Sequence, residues 1–176
     1  ALLEFRTQTP NTFRELKTFQ AQRLKINNLI EIFNDFNTKK YDENNFQKIN
    51  SAFIAIQDAT GYKSNEIEFY SKLIDLRRFI NKQIANLFNS TELTGKDLIS
   101  AGRRQEQSNS NWEVLLSFNS EGGEKFSKLT KSIAGSDRLL SIVLDGESIS
   151  EASVGNQFSK TGITGGSATI SGNFTA

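Results

Sequence analysis

Cysteine, histidine and methionine are absent from the 176 residues, and proline and tryptophan occur once each. Without cysteine there is no disulfide, no thiolate nucleophile and no zinc knuckle. Without histidine there is no Ser-His-Asp triad and no imidazole-bound metal. Charge of one sign is lacking too: 21 Lys and Arg face 20 Asp and Glu, a net +1. No basic field therefore marks a binder of nucleic acid or of an anionic membrane. No run of about 18 apolar residues could span a bilayer, and no signal-peptide pattern opens the chain. Chemistry by carboxylates, Lys, Tyr and hydroxyls stays open. The length allows one medium domain or two small ones, with about two-thirds of the unfolded surface buried. The chain starts in strand-like Ala1-Leu2-Leu3-Glu4-Phe5 and stops in Gly172-Asn173-Phe174-Thr175-Ala176, without an initiator methionine. It reads as a segment of a longer protein.

What is present falls into two unlike parts. Residues 11–90 are rich in Phe, Ile, Leu, Asn and Lys, with Gly61 their only glycine; residues 91–176 hold the other eleven, with many Ser and Thr. Lys+Arg minus Asp+Glu is 13 − 10 = +3 over residues 1–90 and 8 − 10 = −2 over the rest. In the first part apolar side chains recur at helical spacing, which predicts three helices. Phe19, Ile26, Leu29, Ile30, Phe33 and Phe36 form one stripe, opened near Asn11 or Thr12. Phe46, Ile49, Phe53 and Ile56 form a second, ended by Gly61. Phe69, Leu73, Leu76, Ile80, Ile84 and Leu87 form a third, opened by Asn65-x-x-Glu68 as a capping box. The stripes read as core. Phe13, Leu24, Ile32, Ile54, Phe79 and Phe88 lie off them and could serve a partner instead.

The second part alternates. Trp112, Val114, Leu116 and Phe118 share one strand face, with Glu113 and Ser117 opposite. A helix capped by Ser120 carries Phe126, Leu129 and Ile133 and stops at Gly135. Leu139 to Leu144 reads as a strand, Asp145-Gly146 as a hairpin turn, Glu147 to Ser150 as the return strand and Ser167 to Phe174 as the last. With Leu2 to Thr7 this predicts an α+β fold: a mostly antiparallel sheet of about five strands, one packed helix and a large helical insertion. The predicted divisions are residues 1–10 (first strand of the sheet domain), 11–90 (helical insertion) and 91–176 (its remainder).

Candidate chemistry is thin. The pairs Asp42/Glu43, Glu66/Glu68 and Asp145/Glu147 offer carboxylates, but acid–base work needs a pocket that separates their pKa values. Gly122-Gly123 opens a helix, where free amides could hold an anion; backbone clearance is the plainer reading. Gly165-Gly166 fits a tight bend, and neither pair has phosphate-loop spacing. Arg103-Arg104 and Arg77-Arg78 could form a small basic patch. Asn89-Ser90-Thr91 and Asn173-Phe174-Thr175 match the glycosylation pattern, which is short and common. The Ser/Thr/Gly-rich stretch 155–166 reads as a mobile loop.

Several runs taken in order resemble one family. Ser141 to Ser150, through Leu144-Asp145-Gly146, and then Ile163-Thr164-Gly165-Gly166-Ser167 to Gly172-Asn173-Phe174-Thr175, look like the hairpin and final strand of SecD. Leu93-Thr94-Gly95-Lys96-Asp97-Leu98, the Phe118/Gly122/Phe126/Leu129-Thr130 spacing and Leu3-Glu4-Phe5-Arg6 agree as well. Two departures stand out. Ser150-Glu151-Ala152 replaces the family's proline-stiffened exit, and residues 11–90 have no matched counterpart.

The resemblance implies the extracytoplasmic head between the first two membrane helices of a translocase subunit in a bacterial inner or thylakoid membrane. It would be non-enzymatic, with no cofactor and no catalytic or metal site. Its partners would be an unfolded preprotein, SecF and the SecYEG channel, and its task to help complete export driven by the proton-motive force. The motif residues Leu144, Asp145, Gly146, Thr164, Gly165, Gly166, Gly172 and Phe174 read as mainly structural; residues touching preprotein are not identified by the resemblance. The alternative is an extracytoplasmic interaction module whose helical arm docks a partner on a sheet scaffold. An enzyme using paired carboxylates is the third reading.

Overall fold

The computed structural model describes residues 1–38, 43–105 and 112–172. The chain forms two units, Phe13–Ile84 and Ala1–Thr12 with Ala85–Ala176.

The first unit is helical. Helix α1 spans Phe13–Thr38, α2 Glu43–Thr60 and α3 Phe69–Ala85. Their stripes meet as core: Ile26, Leu29 and Ile30 of α1, Ile49, Phe53 and Ile56 of α2, and Leu73, Leu76 and Ile80 of α3 are all buried. Phe69 is an aromatic hub, with the rings of Phe33, Phe46 and Phe53 at 5.5, 5.0 and 5.4 Å. Such tilted and edge-on pairs add about 1 kcal/mol each beyond area burial. The capping box expected at Asn65 does not form, because α3 starts at Phe69 and its first bond runs from Lys72 N–H to the Glu68 carbonyl. The preceding connector is held otherwise. Tyr62 and Ser64 both donate to the Asp75 carboxylate, at 2.8 and 2.7 Å, and the Tyr62 ring stacks on Phe79 at 4.2 Å. Accepting that bond at Asp75 raises the Tyr62 pKa above its ordinary 10.0.

The second unit is built on two antiparallel sheets. Strands β1 (Leu3–Gln8), β2 (Phe88–Thr94), β5 (Leu140–Leu144) and β6 (Glu147–Ala152) form one, in the order β2-β1-β5-β6. Strands β3 (Leu98–Gln105), β4 (Trp112–Phe118) and β7 (Ser167–Gly172) form the other, in the order β3-β4-β7. Helix α4, Ser120–Ile133, shares one core with them. Phe5, Leu93, Leu140 and Ile142 enter that core from the first sheet, Leu116, Phe118 and Ile170 from the second, and Phe126, Leu129 and Ile133 from α4. At its centre Phe118 stacks on Phe126 at 4.8 Å, with Phe5 edge-on to Phe118 at 5.6 Å.

The α+β class is as expected. The expected strands are joined by β2 and β3, and the sheet is divided in two. Thr9 N–H donates to the Leu87 carbonyl at 2.9 Å, so the chain leaves the sheet unit after β1 and re-enters it before β2 at adjacent points.

Candidate functional site

The hairpin β5–β6 turns on Asp145 and Gly146, with φ of 50° and 83°. Both lie in the left-handed region that a two-residue type I′ turn requires, which is why Asp-Gly stands there. Asp145 has a second task. Its Oδ1 accepts Leu2 N–H at 2.7 Å and its own N–H donates to the Leu2 carbonyl at 2.9 Å, fixing the chain start beside β5. Leu144, next to the turn, pairs with Glu147 across the hairpin and with Leu3 of β1.

The other motif turn lies elsewhere, at the junction of β4 and α4. Thr164 is exposed there, and Gly165 and Gly166 take φ of 94° and 70°. The Gly166 carbonyl accepts Phe118 N–H at 2.7 Å, and a Cβ on Gly123 would come within 3.3 Å of Gly166 Cα. Gly172 closes β7; Phe174 lies outside the described residues. Asp145-Gly146 and Gly165-Gly166 thus form two separate turns.

Helix α4 is capped by Asn119, one residue earlier than expected. Its Oδ1 accepts Gly122 N–H at 2.7 Å, while its carbonyl accepts Gly123 N–H at 2.8 Å. The amides considered for an anion are therefore occupied. Gly122 instead gives clearance: a Cβ there would lie 2.7 Å from both Cβ and the carbonyl oxygen of Asp97.

Asp97 and Lys125, which the sequence reading did not single out, form an ion pair with a buried carboxylate at the start of α4. Asp97 ends a 3₁₀ turn, Gly95–Asp97, and its side chain is 8% exposed. Its carboxylate accepts Thr94 N–H and the Lys125 ammonium, both at 2.9 Å, and its carbonyl accepts Asn119 N–H at 2.9 Å. The backbone bond from Thr94, helped by Lys125, holds the carboxyl below its ordinary 3.8 against the opposing effect of burial. Lys125 also reaches Glu121 at 2.8 Å, and these partners, Glu121 first, push it up to about 12. The pair therefore stays charged and ties β2–β3 to α4. Thr94-x-x-Asp97 is the capping pattern that could have found it.

The stretch 155–166 is not a free loop. It contains a 3₁₀ turn at Asn156–Phe158, and Phe158 and Ile163 pack against the core. Ile163 N–H donates to Oγ1 of Thr130, which is 0% exposed, at 2.8 Å, and Ser127 Oγ donates to the Thr161 carbonyl at 2.7 Å. A Cβ on Gly162 would collide with the Ser127 carbonyl, so the loop lies directly on α4.

The remaining candidates do not converge. Glu66, Glu68 and Asp145 are exposed, Glu147 is half-buried, and Asp42 lies outside the described residues. Among the described residues no three His, Cys, Asp or Glu could hold a metal ion, and no helix is long and apolar enough to cross a membrane. Arg104 pairs with Glu113 across β3–β4 at 2.7 Å, and Arg77 meets Asn27 at 3.4 Å inside the helical unit. Of the off-stripe apolar residues, Phe88 is buried and Phe79 stacked, while Phe13, Leu24, Ile32 and Ile54 are exposed. Most open of all is β3. It is an edge strand, and each residue from Ile99 to Gln105 is exposed. What the unit offers is a braced two-sheet platform with an exposed rim.

Residues 71–176 match the family model described as SecDF, P1 head subdomain. The chain is 52% identical over 182 aligned residues to protein translocase subunit SecD of Prochlorococcus marinus, a match over 100% of this chain and 36% of that protein. It is 47% identical over 104 residues to protein translocase subunit SecD of Synechocystis, covering 59% of this chain and 22% of that one. The chain thus spans about a third or less of the curated relatives it matches. A solved structure of a membrane component, SecDF, that enhances protein export shares the fold, with a TM-score of 0.50 and 22% identity over 97% of this chain and 55% of that one.

Proposed function

Since the chain belongs to the SecDF P1 head subdomain family of protein-export translocase subunits, we infer that it works as the extracytoplasmic head of its parent, holding a preprotein as it emerges from the channel. Proton flow through membrane helices of the parent and of SecF drives the head's movement and so helps complete export through SecYEG. The head itself handles polypeptide without a cofactor or a chemical step. The observation that carries this reading is the family match over residues 71–176, which takes in the sheet unit apart from residues 1–12. The braced platform supports it, because a holder needs a rigid body that presents an accessible surface to many sequences.

The test is site-specific photocrosslinking in the intact parent protein, with an export substrate stalled in the channel. Probes at exposed positions of both units should capture substrate, and capture should change when the proton gradient is collapsed. No capture anywhere on the chain would overturn the reading.

Exposed apolar side chains on the helical unit favour one second reading: Leu24 at 61%, Ile32 at 42% and Ile54 at 46%. In that reading the helical unit docks a protein partner and the sheets are scaffold. Loss of a partner from pull-downs, with export intact, after removal of residues 13–84 would favour it.

A further inference from the structure

We propose that β3 binds translocating polypeptide by strand addition, the moving chain pairing through its backbone with the outer edge of the β3-β4-β7 sheet. The proposal rests on the holding function above and gives it a site and a mode. Among the described residues β3 pairs with β4 alone, and no other strand lies along its outer edge. An edge strand presents backbone N–H and C=O groups toward solvent at strand spacing, a template for another extended chain.

The strand's side chains leave that template open. Ile99, Ser100, Ala101 and Gly102 are all exposed and uncharged, and three of the four are small, so little stands in the way of an incoming backbone. The other edge strands are more enclosed: β2 buries Phe88 and Leu93, β6 buries Ser148 and Ser150, and β7 buries Ile170 and lies against β6. Natural edges are guarded against permanent pairing by bulges and charges. Here a register shift between Leu98 and Ser100 marks one end of the window and Arg103-Arg104 the other. A short neutral window between guards suits transient pairing.

The occupant is an unfolded stretch of the exported chain. Edge pairing reads backbone, which every sequence shares, and it requires an extended segment, which a folded or helical partner does not offer.

The experiment places a photoreactive residue at position 99, 101, 149 or 24 of the intact parent, in membranes holding a stalled export substrate. Ile99, Ile149 and Leu24 are exposed by 72%, 46% and 61%, so replacement there disturbs no core. Two substrates are compared, identical except that one carries Pro-Pro-X repeats through the segment facing the head, so that every pairing register loses ladder donors. Proline cannot donate to a ladder. Positions 99 and 101 should capture the first substrate and lose about fivefold or more of that yield with the second, as expected for losing about one net hydrogen bond. Equal yields from the two substrates would overturn strand addition. So would capture only at 24 or 149, which would leave the holding function standing, and so would β3-to-β3 capture between two copies in place of substrate. Capture at none of the four would likewise overturn strand addition, while the holding function falls only if no exposed position anywhere on the chain captures substrate.

Discussion

Asp97 shows how one residue governs a junction. Its carboxylate is buried, stays ionised and accepts from Thr94 and Lys125, while its backbone carbonyl accepts from Asn119. Because its folded pKa lies below the ordinary 3.8, its stabilisation is complete above that value and fades as pH falls below it. Lys125 works in the opposite sense. Its folded pKa is raised, so its contribution is full below 10.5 and is lost as pH rises through about 12. Asp97→Asn should cost about 1–3 kcal/mol near neutrality, by leaving the Lys125 and Thr94 donors poorly matched. The variant's stability should also fall less as pH drops below 3.8. Urea unfolding from neutral pH to below that value checks both expectations; equal acid slopes for variant and parent would contradict the assignment. Gly162 is the second sensitive residue. At φ of 71° and facing the Ser127 carbonyl, it has no room for a Cβ. Gly162→Ala should therefore cost about 3 kcal/mol, combining left-handed strain with overpacking. A calorimetric midpoint within a degree of the parent's would refute that close approach.

Among the elements, legibility followed how much of each segment's pattern is set by its own burial. The three long helices bury one stripe each, and those stripes are plain in the sequence. The hairpin at Asp145-Gly146 is local turn chemistry and equally plain. Strand β2 is not: a register shift between Glu4 and Arg6 of its partner breaks the alternation, and only Phe88 and Leu93 are buried, five residues apart. Strand β3 packs only Leu98 partly against the core and exposes the rest, so it leaves no hydrophobic period to read, and the rim of the candidate site is not legible for that reason. The stretch 155–166 has the composition of a free loop, yet it is fastened by Thr130, a helix residue whose hydroxyl serves a segment 33 positions away. No local pattern reports such a bond. The start of α4 is a finer case, since Asn119 and Ser120 are both good caps and only geometry shows that Asn119 accepts from Gly122. Asn119→Ala should cost about 1 kcal/mol and Ser120→Ala much less. Paired thermal melts decide this, and a larger loss at Ser120 would move the cap.

The whole molecule raises the question of what the helical unit contributes to the sheets. The chain departs after Thr12 and returns at Ala85, and the Thr9–Leu87 backbone bond brings the two crossings together on the sheet unit's own side. The shared core of the sheet unit draws all its members from residues outside 13–84. Loop-closure entropy grows only slowly with length, so exchanging a long insertion for a short linker is thermodynamically mild when its ends are already close. We expect a chain with Gly-Ser residues joining Thr12 to Ala85 to fold cooperatively, with the β-rich circular dichroism of the sheet unit and protected amides in β1, β4 and β5. Hydrogen exchange is the decisive measurement. Protection lost throughout β1 and β5 would mean that the sheets need the helices to fold. Protection retained would license the functional comparison: the same deletion in the parent protein should preserve substrate capture at positions 99 and 101 if β3 is the holding edge, and should abolish capture if the helical unit does the holding.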